Sequence, residues 1–167
     1  PASVSTSLAW PKLNEIEAVG LLGRAGIPMV RGVVAKSAEE AAAYARDIGF
    51  PVVLKILSTE IQHKSDVGGV AVGLTDEEMV RRAYETVMSS VRRHLPQAPI
   101  DGVLVAPMVK GGIEAIVGAR IDPVFGPMVM VGLGGTMVEV LKDVSFCLAP
   151  LSLSEARNML ERLRGAP

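Results

Sequence analysis

The residues best suited to chemistry form one loop, His63–Val70, with the sequence His-Lys-Ser-Asp-Val-Gly-Gly-Val. An imidazole is nucleophilic when neutral, and an unperturbed histidine is largely neutral near pH 7. Lys64 could hold an incoming phosphoryl group, Asp66 could fix the tautomer of the His63 ring, and Gly68-Gly69 allow close approach of the backbone to a ligand. The spacing favours phosphoryl transfer, although a lone loop histidine is more often a solvated or structural residue.

A lysine interrupts the apolar run 52–57 just before this loop. An ammonium group inside a buried strand is costly unless an anion meets it, so Lys55 is predicted to neutralise a nucleotide phosphate. The alternative is an edge-strand lysine whose ammonium group reaches solvent. Further along, the segment 112–122 alternates and places Glu114 and Arg120 on one face. That face either lines a cleft or is a solvated face with ordinary ion pairs.

Other candidate motifs favour structural roles. His94 follows Arg92 and Arg93 at the end of a predicted helix, where a cation suits the helix dipole. The run Gly132-Leu-Gly-Gly is not Gly-x-Gly-x-x-Gly and is not clearly followed by a helix, so it favours a strand turn near a ligand over a dinucleotide site. The sequence has no spacing of Cys and His that is typical of a metal site, and no metal ligand is predicted within it.

Composition narrows the class of protein. The formal net charge is -1, with 17 basic and 18 acidic residues, so neither nucleic acid nor an anionic membrane is an expected partner. The single cysteine, Cys147, excludes an internal disulfide framework and predicts a reducing, cytoplasmic location. No stretch approaches the ~20 apolar residues of a membrane span. The first residues lack the basic and apolar regions of a secretory signal.

The order of predicted elements indicates an α+β fold. Capping residues followed three positions later by Glu predict helix starts at Asn14, Ser37, Thr75 and Ser152. The helices are predicted at 15–24, 38–48, 76–93 and 153–164, and the strands at 29–35, 52–57, 69–74, 102–108, 113–121, 127–133 and 138–148. Because strands and helices do not alternate strictly, we expect two α+β lobes that meet near residues 99–101 rather than a doubly wound sheet.

Several stretches together resemble one family: Leu13-Asn-Glu-Ile-Glu-Ala, Ala25-Gly-Ile-Pro, Gly49-Phe-Pro-Val-Val-Leu-Lys-Ile, the octet that begins at His63, Asp122-Pro-Val-Phe-Gly-Pro and Gly132-Leu-Gly-Gly. They resemble the ATP-grasp portion of NDP-forming acyl-CoA synthetases (acetate–CoA ligase, ADP-forming), relatives of the succinyl-CoA synthetase β subunit. The resemblance implies an ATP-grasp fold with a nucleotide cleft between two lobes. It divides the chain into a linker at 1–12, a first helix at 13–25, subdomain 1 at 26–100 and an incomplete subdomain 2 at 101–167.

The resemblance also implies roles for single residues. Lys55 matches the lysine that grips nucleotide phosphates, the stretch Val105, Ala106, Pro107 and Met108 matches the hinge that reads adenine, and Glu114 matches the carboxylate after it. His63 matches a histidine in a mobile loop that relays a phosphoryl group to a second histidine on a CoA-ligase module. The implied reaction is acyl-CoA + ADP + phosphate ⇌ acid + CoA + ATP. Because a relay histidine must visit two sites, we expect the loop 58–68 to be mobile.

One departure from the family is expected to matter. Family members continue into a segment that helps bind Mg²⁺, and into CoA-binding and phosphohistidine domains, which this sequence lacks. We therefore expect a C-terminally truncated fragment, inactive alone, that uses ATP or ADP, Mg²⁺ and, through a partner domain, CoA. The alternatives are a regulatory module fused to a GNAT-type acetyltransferase, or a scaffold without ligand; the intact His63, Lys64 and Asp66 favour the enzyme.

Overall fold

The computed structural model describes residues 12–135 and 143–165. It divides into two compact units, Pro1–Val109 and Lys110–Pro167, and each is described by itself. The predicted linker lies almost entirely outside the described residues. Within the described residues, no helix is both long and apolar enough to cross a membrane.

Unit 1 is an antiparallel sheet with helices. Its elements are α1 (Glu15–Arg24), β1 (Val33–Ala35), α2 (Ala38–Ile48), β2 (Val52–Leu57), β3 (Val70–Leu74), α3 (Glu77–His94) and β4 (Gly102–Pro107). The strand order is β1-β4-β2-β3, and every neighbouring pair is antiparallel. The predicted strand at 29–35 is a strand only over its last three residues, Val33–Ala35. Pro28, Met29, Arg31 and Gly32 line a pocket beside α1.

The sheet of unit 1 has two different faces. Leu54 and Ile56 of β2 and Val103 and Val105 of β4 are fully buried and pack in one core with α2 and α3. Because side chains alternate along a strand, the residues between them, Lys55 among them, belong to the other face of the sheet. That face lies beside α1. The alternation thus puts the core on one side and the candidate chemistry on the other.

The boundary between the units differs from the sequence prediction. We expected a division near residues 100 and 101, but β4 pairs with β2 from Leu57↔Gly102 to Val52↔Pro107 and with β1 on its other edge. A buried strand between two others cannot be separated from its sheet. Residues 102–109 therefore belong to unit 1.

Unit 2 is a smaller antiparallel sheet with one helix against it. Its strands β5 (Ala115–Asp122), β6 (Gly126–Leu133) and β7 (Val144–Leu148) lie in that order, and helix α4 (Leu153–Glu161) follows. Met159 and Leu163 pack with Val131 in its core. The predicted strand 138–148 is confirmed from Val144 onward, and its residues 138–142 lie outside the described part of the chain.

The polar end of β5 closes a turn. Arg120 forms an ion pair with Asp122 at 2.8 Å, and Asp122 also accepts hydrogen bonds from the backbone N–H groups of Val124 and Phe125. Those backbone bonds, with Arg120 beside them, hold the pKa of Asp122 below its usual value. The pattern supports the ordinary ion-pair interpretation of this face.

Most helix starts follow the predicted capping chemistry. Asn14 and Ser152 each form a complete capping box, with Glu17 and Glu155. Ser37 caps α2, but the Glu40 carboxylate accepts from the N–H of Lys36 rather than from Ser37.

The start of α3 was predicted wrongly at Thr75. Asp76 is the N-cap, because its carboxylate accepts the N–H of Met79 at 2.8 Å. Aspartate satisfies that exposed donor as well as a hydroxyl does.

Candidate functional site

The site is centred on one carboxylate between two lysines. Glu15 is the first residue of α1, placed there by the Asn14 cap. Its Oε1 lies 2.7 Å from Nζ of Lys55 on β2, and its Oε2 lies 2.6 Å from Nζ of Lys64 in the loop after β2. A helix start, a strand and a loop therefore converge on one anion.

The electrostatics of this cluster favour anions. Burial alone would raise the pKa of Glu15, but hydrogen bonds from Lys55 and Lys64 outweigh it and hold that pKa below the usual glutamate value. Two ammonium groups face one carboxylate, which leaves an excess of positive charge. The half-buried position also means that the charges are screened less than on an open surface.

A pocket of about 540 Å³ adjoins the cluster within unit 1. Glu15 and Lys55 lie at its wall together with Ala106, Pro107 and Met108, and the other lining residues are mainly apolar. The structure thus brings together Lys55 and most of the predicted adenine hinge. The Val105 side chain is an exception, because it is fully buried in the core on the opposite face of the sheet. The N–H of Met108 donates to the carbonyl of Pro51.

In the His63 loop, the Asp66 carboxylate does not hold the His63 ring as the sequence predicted. His63 is exposed, and within the described residues its ring forms no hydrogen bond. Asp66 gives His63 only a backbone contact, from its N–H to the His63 carbonyl at 3.2 Å. The predicted support of the ring by the Asp66 carboxylate is not formed here, because the residues make a turn that leaves both side chains exposed. Lys64, beside His63 in sequence, is tied to Glu15.

Gly68 and Gly69 of the loop stand where the fold leaves no room for a side chain. Gly69 is buried, its carbonyl accepts the N–H of Ile56 at 2.7 Å, and a Cβ there would lie 2.7 Å from Ile56 Cγ2. Gly68 has φ of 66°, and a Cβ there would meet Ser90 Oγ at 2.5 Å. These glycines close the loop onto β2 and α3. Their approach to a ligand phosphate stays a prediction, as does the mobility of the loop, whose Ile61 is buried.

Glu114 and the glycine run lie in unit 2. The carbonyl of Glu114 accepts the N–H of Gly134 at 2.6 Å, while its side chain is exposed. Gly132 lies within β6, where a Cβ would come 2.8 Å from Val144. The Glu114 role stays a prediction. His94 has a structural contact within its own helix, because its Nδ1 lies 2.9 Å from the carbonyl oxygen of Ser90. This contact supports the structural interpretation of His94.

Sequence reasoning missed Glu15 as a site residue. The residue stood in a quoted stretch, Leu13-Asn-Glu-Ile-Glu-Ala, but only the capping partners around it were interpreted. Its partners are 40 and 49 residues away in sequence, so no local pattern connects them. The one available signal was that Lys55, a lysine within an apolar strand, needs an anion close to it. Across 12–135 and 143–165, three or more His, Cys, Asp or Glu residues do not gather in a group that could hold a metal ion.

Comparisons with known proteins agree on one family. A family model described as the ATP-grasp domain matches residues 10–167. The chain is 45% identical over 154 residues to 4-hydroxybutyrate–CoA ligase [ADP-forming] of Nitrosopumilus maritimus, covering 92% of this chain and 22% of that protein. It is 44% identical to the β subunit of acetate–CoA ligase [ADP-forming] I of Pyrococcus furiosus, covering 93% of this chain and 67% of that subunit.

A solved structure has the same fold. The dinucleotide forming acetyl-coenzyme A synthetase 1 of Ca. Korarchaeum cryptofilum, in complex with coenzyme A, Ca-AMPCP and HgCl+, gives a TM-score of 0.88 at 49% identity, over 92% of this chain and 67% of that one. In another complex of that synthetase, with coenzyme A and Mg-AMPPCP, its phosphohistidine segment points towards the nucleotide binding site; the TM-score is 0.73 at 43% identity, over 90% of this chain and 63% of that one. The chain thus spans between a fifth and two thirds of these relatives.

Proposed function

Because this chain belongs to the ATP-grasp domain family of the ADP-forming acyl-CoA ligases, we propose that it binds ATP or ADP and relays a phosphoryl group through His63. The whole reaction would interconvert acyl-CoA, ADP and phosphate with acid, CoA and ATP. The chain supplies the nucleotide half of this reaction. The predicted ATP-grasp fold is confirmed by the family model and by the synthetase structure.

One observation carries the proposal: two lysines converge on a single anion at the wall of a mainly apolar pocket. A volume of about 540 Å³ is in the range of small-molecule sites. Phosphates would take the position of highest positive charge beside Lys55, and the purine would lie along Ala106, Pro107 and Met108. The likeness to a synthetase solved with Ca-AMPCP supports nucleotide binding by this chain.

The relay needs a nucleophile beside a cation. In the proposed step, a nitrogen of His63 forms a bond to the terminal phosphorus of ATP as the bond from that phosphorus to the ADP oxygen breaks. The reverse step returns the phosphoryl group to ADP. Lys64 would offset the charge on the moving group, and the exposure of His63 lets its ring reach a second module.

Mg²⁺ fits this site only through the nucleotide. Magnesium is usually held by one or two carboxylates together with substrate phosphates, and it would offset phosphate charge when bound. Since the described residues offer no cluster of metal ligands, we assign none of them to Mg²⁺.

The remaining modules would come from elsewhere in the protein or from a partner subunit. The N. maritimus ligase is much longer than this chain, whereas the P. furiosus relative is a separate β subunit. We propose that CoA binding, CoA ligation and the choice of acid belong to those parts, and that the chain acts in the cytoplasm and is inactive alone. None of these relatives is named as an acetyltransferase, so nothing favours the GNAT-type alternative.

The test is the affinity of the intact protein for ADP after Lys55→Ala. An ammonium paired with phosphate in a half-buried site contributes on the order of 2–3 kcal/mol. We therefore expect roughly tens- to hundreds-fold weaker binding by calorimetric titration, since ~1.4 kcal/mol is tenfold. Arg82→Ala is the control, because it removes the same charge from the exposed side of α3. An unchanged affinity of Lys55→Ala would refute the proposed phosphate site.

A further inference from the structure

Glu15 uses both carboxylate oxygens on the two lysines of the proposed phosphate site. Its Oε1 accepts a hydrogen bond from Nζ of Lys55 at 2.7 Å, and its Oε2 accepts one from Nζ of Lys64 at 2.6 Å. A phosphate bound by Lys55 would come into contact with this carboxylate. Two anions in contact in a half-buried site repel each other strongly. Glu15 and a phosphate therefore compete for the same cations.

Helix α1 is attached in a way that lets Glu15 leave. None of its residues is buried, unlike those of α2 and α3. In the part of the chain that the structure describes, its side-chain bonds to the rest of unit 1 are the two from Glu15 and one from the adjacent Asn14 cap to Asp101, at 3.3 Å. A helix without buried residues can shift without opening a core. The ion pairs of Glu15 are thus the shortest side-chain bonds between its first turn and the rest of unit 1.

The position of α1 also connects this attachment with access to the pocket. Ile16 and Val19 of α1 form part of the wall of the same pocket as Lys55. If Glu15 gives up its lysines, the first turn of α1 loses its attachment at that wall. Lys64, next to His63 in the loop, loses its partner at the same moment.

From these contacts we propose that Glu15 is a positioning residue that holds Lys55 and Lys64 together and yields them to the phosphates of the nucleotide. Binding of the nucleotide then loosens the first turn of α1 and releases Lys64, so that one displacement connects the phosphate site with the His63 loop. This inference rests on the proposed function. It adds a residue and a coupling that the nucleotide site alone does not require.

The experiment compares Glu15→Gln with the unaltered intact protein. The amide keeps the size of the side chain and removes the competing charge, so we expect the affinity for ADP to rise by about tenfold in calorimetric titration. Adenosine, which has no phosphate, should bind equally to both. Glu85→Gln is the matched control, because Glu85 is exposed on α3 and its side chain forms no hydrogen bond or ion pair with the described residues.

Hydrogen exchange gives a second readout that a purely structural role would not change. The amide of Ala18 donates to the carbonyl of Asn14 in the first turn of α1. Addition of ADP should speed its exchange in the unaltered protein. In Glu15→Gln this exchange should be fast already, without ADP.

Each other outcome overturns the inference in a distinguishable way. If Lys55→Ala leaves ADP binding unchanged, the proposed function fails and the inference falls with it. If Lys55→Ala weakens binding but Glu15→Gln does not strengthen it, the phosphate site stands and the competition is refuted. An equal loss of ADP and adenosine affinity would make Glu15 a structural residue only. If Glu15→Gln does not fold, the unaltered protein still tests the inference. An exchange rate of the Ala18 amide that ADP does not change would refute the release of the first turn of α1.

Discussion

Among the ion pairs of the described residues, that of Lys64 with Glu15 is more shielded from solvent than the helix pair of Arg82 with Glu78. The Lys64 and Glu15 side chains are only 19% and 27% exposed, whereas Arg82 and Glu78 on α3 are 77% and 62% exposed. Exposed pairs contribute little to stability because water and salt screen them. Charges that are partly removed from water act more strongly on each other and on a ligand. The Lys64–Glu15 pair should therefore contribute more than the Arg82–Glu78 pair on α3.

The variant His63→Asn tests the proposed phosphoryl relay through His63. Asparagine keeps much of the hydrogen bonding of the ring but lacks the nucleophilic nitrogen. In the intact protein supplied with acyl-CoA, phosphate and ADP, we expect ATP formation to be abolished. Binding of ADP should stay within about twofold, because a substitution at an exposed position changes little.

The control for this variant is His94→Asn. His94 is bonded to the Ser90 carbonyl of its own helix, so its replacement should leave ATP formation nearly unchanged. Near-normal ATP formation by His63→Asn would make His63 a structural residue and move the regulatory alternative ahead.

Among the helices of the described residues, α1 differs because it has no buried residue. Helices α2 and α3 bury a face each, with Ala41 and Ala45 on the first and Val80 and Val87 on the second. Helix α1 buries none, yet both of its ends are closed by local chemistry. At its C-terminus the N–H of Ile27 donates to the Leu22 carbonyl around a glycine with positive φ, as in a Schellman motif. Local capping replaces the burial that fixes the other helices.

The cap at Asn14 should therefore be needed for the order of the first turn of α1. Asn14→Ala removes the acceptor of the Glu17 N–H and the bond to Asp101, and it should cost about 1 kcal/mol of local stability. By hydrogen exchange, we expect the amides of Glu17 and Ala18 to exchange several-fold faster. Those of α3 should not change, and Ser37→Ala, which uncaps α2, serves as the comparison. Equal rates in Asn14→Ala and the unaltered protein would show that the Glu15 ion pairs hold the first turn of α1 without the cap.

For the whole molecule, the two units differ in how much they bury. The core of unit 1 runs through the middle of its sheet, with Leu54, Ile56, Val103 and Val105 inaccessible to solvent. Unit 2 has a small core around Val131, Met159 and Leu163. Since burial of apolar surface is the main source of stability, unit 1 should be the more stable of the two.

Native-state hydrogen exchange can measure this difference. We expect the amides of β2 and β4 to be protected at least ten times more strongly than those of β5 and β7, because opening a smaller core requires less free energy. Val103→Ala, in the core of unit 1, should lower the protection of β2 and leave that of β6 unchanged. Equal protection of the two sheets would contradict the assignment of stability to the unit 1 core.

The sequence by itself determined the features that depend on neighbouring residues. The capping boxes at Asn14 and Ser152, the extent of β2 and the class of fold followed from local spacing and apolar patterns, because caps, turns and periodicity act within a few residues. The octet from His63 and the lysine of β2 identified the family, as the family model and the relatives confirm. The error at Thr75 arose where two adjacent residues could both cap the same helix.

Only the tertiary structure decided which distant residues meet. Lys55 and Lys64 are 40 and 49 residues from Glu15, and only the docking of α1 beside β2 makes the three one cluster. The placement of β4 between β1 and β2 moved the boundary of unit 1 past residue 100, because strand pairing depends on partners that sequence periodicity does not name. The same limit applies to Asp66, whose nearness to His63 in sequence did not bring the two side chains together.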